Sequence, residues 1–119
     1  MLAGLLVAGA ASAAAFSLDG DLMRGIEDTT KSLDSNVSLK NKEAAAAEAQ
    51  QLVDWFAQVQ GYYEAKGDAA DAVGFSRKTH ALASDLRRAL ASEDYDAASD
   101  TLGLLVRSCK TCHEVYKNR

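Results

Sequence analysis

Two stretches of this chain step their core-type residues by four and three without a break, and that spacing leaves few folds open. Ala45, Ala49, Leu52, Phe56, Val59 and Tyr63 follow the pattern across residues 42–66, and Ala98, Leu102, Leu105, Cys109, Cys112 and Tyr116 follow it across residues 95–118. Such steps place all six residues on one stripe of an α-helix, the seam through which helices pack on one another. A strand cannot use them, because its faces alternate at every residue. Composition agrees: proline is absent, alanine is abundant and aromatics make up 7% of the chain. Alanine costs least in a helix and proline most.

Two further segments carry the same period less cleanly. Residues 18–39 place Leu22, Ile26, Leu33 and Val37 on one stripe with Met23 and Thr30 at its edge, and residues 69–91 offer Phe75, Thr79, Leu82, Leu86 and Leu90. Gly67-Asp68 reads as a C-terminal glycine followed by an N-cap, and Ser92-Glu93-Asp94 as a second break. Four helices with short connections predict an all-α, antiparallel up-down four-helix bundle, a single domain over residues 16–119.

The first fifteen residues stand apart. MLAGLLVAGAASAAA carries no charge, and the run is shorter than the roughly 20 apolar residues a membrane span needs. It reads as the hydrophobic part of a secretory signal, with Ala11-Ser12-Ala13 or Ala13-Ala14-Ala15 as cleavage sites. The expectation is an exported, periplasmic chain with no membrane span once mature. A net charge of −4 gives no electrostatic footprint for nucleic acid.

RSCKTCHEVYK, residues 107–117, carries the chemistry. On a helix Cys112 and His113 lie three and four residues after Cys109, and the fourth seam predicts that all three face into the bundle. A structural zinc site needs four ligands, and the chain holds only these two cysteines and one other histidine, His80. A thioredoxin-type dithiol sits at a helix N-terminus, where the dipole lowers the thiol pKa, whereas this one lies in the last turns. A plain disulfide suits an exported protein but leaves His113 unused. C-x-x-C-H is also the attachment sequence of c-type haem, and that chemistry uses every residue. It makes Cys109 and Cys112 the covalent anchors of one haem c, and His113 the proximal ligand of the iron.

A four-helix bundle with CKTCH near the end of its last helix resembles the class II c-type cytochromes, the cytochrome c′ family. The resemblance implies that the residue opposite His113 comes from the first helix. DLMRGI, residues 21–26, aligns with that segment and puts Met23 on the methionine of the low-spin branch. The family's frequent Arg-Gln pair just before it is replaced here by Asp19-Gly20. The function implied is single-electron transfer by a monohaem protein, not an enzyme, with unidentified redox partner proteins. Family members commonly dimerise through their first two helices, so a homodimer is also implied. A thioether opposite histidine raises the reduction potential.

The alternative within the family is a five-coordinate, gas-binding protein, which Leu22 facing the iron in place of Met23 would produce. The alternative outside it is a non-haem thiol oxidoreductase. His80 offers a second imidazole, but its place beside the Thr79–Leu82 seam sends it toward the rim. Lys117 stands where the family commonly has arginine, and as a cation in a helix's last turn it also complements the dipole. Arg107, Lys110, Lys117 and Arg119 make the motif end locally basic, a face on which an acidic partner could dock.

Overall fold

The computed structural model describes residues 17–116, with side chains as far as Glu114. The expected leader, Lys117, Arg119 and the side chain of Tyr116 therefore lie outside the described residues. Four helices, α1 (Gly20–Ser38), α2 (Lys42–Lys66), α3 (Ala70–Ala91) and α4 (Tyr95–Tyr116), make up nearly all of them. Each packs antiparallel on its neighbour in the chain, and α1 closes the ring against α4, so α1/α3 and α2/α4 are the diagonals. The ring is uneven: α2/α3 and α3/α4 approach closely, and α1/α4 least. None of the helices is long and apolar enough to cross a membrane.

The expected seams on α1, α2 and α4 account for most of the core. Ile26, Leu33 and Val37 are buried from α1, Ala45 to Val59 from α2, and Ala98, Leu102 and Leu105 from α4. Leu33, Leu52, Leu86, Leu90 and Leu105 are sealed from solvent altogether. At about 2–3 kcal/mol for each large aliphatic side chain, this centre is the main source of stability.

Helix α3 departs from expectation. Its buried stripe is Ala72, Ser76, Thr79, Ala83, Leu86 and Leu90, an unbroken 4, 3, 4, 3, 4 seam. Phe75 and Leu82, expected on it, lie half-buried at its flank. Small side chains on the seam bring neighbouring backbones together, since interaxial distance follows the residues at the contact.

The helix ends are set by local chemistry. Asp19 accepts a hydrogen bond from the Leu22 amide at 2.9 Å, and Asp94 caps α4 through the Ala97 amide at 3.0 Å, each satisfying an orphan N–H. Asp68 does not cap α3 as expected. The chain runs two residues beyond Gly67 (φ 80°) before turning helical, so the cap position falls on Ala69, which has no side-chain oxygen to offer. Helices α1 and α3 end in matching turns: Lys40 (φ 56°) and Glu93 (φ 55°) are left-handed. The Asn41 amide reaches back to the Asn36 carbonyl and the Asp94 amide to the Ala89 carbonyl, both at 2.9 Å. These are Schellman turns with a non-glycine residue at the strained position. They lie at the same end of the bundle, linked by a Lys42–Glu93 ion pair at 3.6 Å and by the Lys40 ammonium 5.9 Å from the Tyr95 ring centre.

A left-handed residue with a Cβ costs about 1 kcal/mol more than glycine there. Lys40→Gly is therefore expected to stabilise the fold by about that amount, and Gly67→Ala to destabilise it similarly. Urea midpoints moving in opposite directions check both.

Candidate functional site

A cavity of about 1050 Å³ opens along the α1/α4 cleft. It runs from Met23 and His113 at the end of the bundle holding the α2/α3 turn, as far as Asp34 and Ser99. Its walls are mostly apolar: Ile26 from α1, Phe56, Val59 and Tyr63 from α2, Phe75 from α3, Leu102 and Val106 from α4. Cys109, Cys112, His113 and Met23 all line it. Residues as far as 90 positions apart in sequence, Met23 and His113, thus border one space, because α1 and α4 are antiparallel neighbours.

The three motif side chains line the same cavity but differ in exposure. Cys109 and Cys112 are half-buried, but His113 is exposed, so the imidazole borders the cavity without being packed into the core as expected. The cause is helical pitch. Each residue turns the helix by about 100°, so the Cys109–Cys112 stripe continues the core seam, while His113 falls on the neighbouring strip of Val106 and Lys110, both exposed. That strip faces α1 across the open cleft, where nothing presses on it as tightly as α3 presses on the seam.

The other expected positions resolve cleanly. Leu22 packs against the core and is not part of the cavity wall, whereas Met23, its neighbour, is. His80 is half-exposed on α3 and does not reach the cavity. Among the described residues, no three or more His, Cys, Asp or Glu side chains gather where they could hold a metal ion by themselves.

Both thiols are free. Burial pushes the Cys109 thiol from its ordinary value of 9.0 up to about 11, with the neighbouring Cys112 adding to the shift and a backbone hydrogen bond opposing it. Cys112 is raised as well, by burial. A nucleophilic or redox-active cysteine needs its thiolate, and hence a lowered pKa. These two are held as neutral thiols at neutral pH.

A buried hydroxyl cluster lies behind them that sequence reasoning missed. Thr79 Oγ1 donates to the Phe75 carbonyl at 2.8 Å and lies 2.6 Å from Ser108 Oγ. A hydroxyl has one proton, so Ser108 is the donor to Thr79. Ser76 Oγ donates to the carbonyls of Ala72 at 2.7 Å and Val73 at 3.0 Å. The signal was present in the regular α3 seam, once serine, threonine and alanine count as seam residues.

Two outcomes follow from these environments. Thr79→Val strands the buried Ser108 proton and should cost about 1–3 kcal/mol. Ser108→Ala leaves Thr79 donating to Phe75 and should cost less; chemical denaturation of both variants checks the order. Between pH 9 and 11 an unfolded Cys109 loses its proton while the folded one keeps it, so the stability of the thiol form falls as pH rises through that window. In Cys109→Ser the same denaturation series should be flatter. Comparison of the chain with protein-family models, curated proteins and solved structures finds no match, so what the site does has to be read from its own side chains.

Proposed function

We propose that this chain is a monohaem c-type cytochrome carrying single electrons, with Cys109 and Cys112 bonded to one haem c and His113 and Met23 as its axial ligands. One observation carries the reading. Both cysteines of the chain, one of its two histidines and a methionine from another helix line a single apolar cavity.

The residues fit such a group. At about 1050 Å³ the cavity is slightly larger than typical small-ligand sites, which span about 300–1,000 Å³, and Ile26, Phe56, Val59 and Phe75 offer the flat macrocycle apolar walls. When bound, the iron supplies a one-electron couple. The chain's own part is to fix its ligands and keep water from it, which are the levers that set a haem's potential. Met23 sits on the cavity wall while Leu22 does not, which favours a six-coordinate site over a gas-binding, five-coordinate one. The raised thiol pKa values speak against a thiol oxidoreductase. The order of helices, CKTCH in α4 and DLMRGI in α1 support a likeness to the methionine-ligated branch of the class II cytochromes. In this reading the chain works in the periplasm and exchanges electrons with partner proteins.

Co-expression with haem-attachment machinery tests it. A Soret band that stays with the chain on a denaturing gel, together with sharp reduced α and β bands and a weak near-infrared sulfur–iron band, is the expected result. Absence of bound haem would sink the proposal. Met23→Leu should abolish the near-infrared band and give a high-spin spectrum that shifts with carbon monoxide; an unchanged spectrum would remove Met23 from the iron.

A further inference from the structure

The two ends of the bundle are unequally built. At the end holding the α1/α2 and α3/α4 turns, only residues 38–44 and 91–97 pass without a buried side chain. Those turns are closed by their Schellman bonds, by the Asp94 cap and by the Lys42–Glu93 ion pair. At the other end the α2/α3 hairpin runs from residue 60 to residue 75 with Ala72 as its single buried residue. A segment with so few buried apolar contacts opens locally at low free energy.

Local chemistry weakens this tip further. Gly61 in α2 and Gly74 in α3 are helical and exposed, and a Cβ at either would meet no atom within 4 Å. Neither a left-handed φ nor close packing calls for glycine there, and each gives up about fivefold in the helix equilibrium against alanine. Helix α3 starts from Ala69 without a side-chain cap. The Arg77–Glu64 ion pair, 3.7 Å long, joins the two helices near the tip, but both side chains are exposed and such a pair adds little.

The tip nevertheless carries two of the cavity walls. Tyr63 and Phe75, one from each helix, both line the cavity and are half-buried. Rings that border a cavity gain dispersion contacts when an apolar group fills it. Resting on the haem reading only in that an apolar group fills the cavity, we propose that residues 60–75 open as one local unit, independently of the opposite end, and that filling the cavity orders them as Tyr63 and Phe75 close on the occupant. Binding and local folding are then one equilibrium, displaced by the occupant's preference for the closed tip.

Hydrogen exchange of the full chain, kept reduced and made without attached haem, tests this with N-phenyl-1-naphthylamine, a neutral apolar probe whose fluorescence rises when it leaves water. The last turns of α2, residues 61–66, should exchange roughly tenfold faster than the matching last turns of α1, residues 33–38. Saturating probe should remove most of that difference. Gly74→Ala, a change in α3, should slow the α2 amides 61–66 about fivefold, because the two helices open together. Lys40→Gly, which stabilises the opposite end, should leave those amides unchanged. Exchange at 61–66 no faster than at 33–38, bound probe that slows nothing, a silent Gly74→Ala or slowing by Lys40→Gly would each overturn the inference, as would failure of the probe to bind. None of these outcomes touches the haem reading, which stands or falls on the attached Soret band.

Discussion

The close packing of α4 on α3 governs the rest of the molecule. Ala72, Ser76, Thr79 and Ala83 give α3 a seam of small side chains, and Ser108 of α4 meets it through a buried hydrogen bond. A helix drawn toward one neighbour stands off from the other, and the cleft between α4 and α1 is where the ring is loosest. The cavity is the space that this asymmetry leaves. Four equally spaced helices with leucine at every seam position would have filled it.

The hydroxyls on that seam are compatible with burial because each is satisfied. No buried side-chain nitrogen or oxygen among the described residues lacks a partner. Ser76 and Thr79 turn their protons inward to the backbone of their own helix, so the cost of burying them is met locally and does not depend on what occupies the cavity. The cysteines are different: their neutral form is favoured chiefly by burial, with Cys112 adding to the shift at Cys109, which keeps them unreactive as nucleophiles in the free chain.

Much of this was legible in the sequence. The 4, 3 steps of Ala45 to Val59 and Ala98 to Leu105 marked the buried stripes correctly, because on those helices the seam residues are also the apolar ones. On α3 the two properties part company. Phe75 and Leu82 are the larger hydrophobes, yet the buried line runs through Ala72, Ser76 and Ala83, and hydrophobicity alone points one strip off. The exposure of His113 was missed for a related reason. Seam membership places a residue relative to the helix's own axis, whereas exposure depends on how near the facing helix stands. The separation of α1 from α4 is set by the seam of α3, out of reach of any local pattern in α4. Bringing Met23 to the cysteines, in contrast, needed only the antiparallel order of the first and last helices.

The paired Schellman turns give this arrangement a mechanical side. Lys40 and Glu93 bend the chain at one end of the bundle, and Lys42–Glu93 and Lys40–Tyr95 link the two bends there. Helix α1 is thus a lever with its fulcrum near Val37 and its tip at Met23, about 21 Å away at 1.5 Å per residue. A tilt of about 3° at the fulcrum moves the tip by about 1 Å. Met23 and His113 both line the cavity at the far end, and the length of one helix converts small adjustments at the packed end into larger ones there.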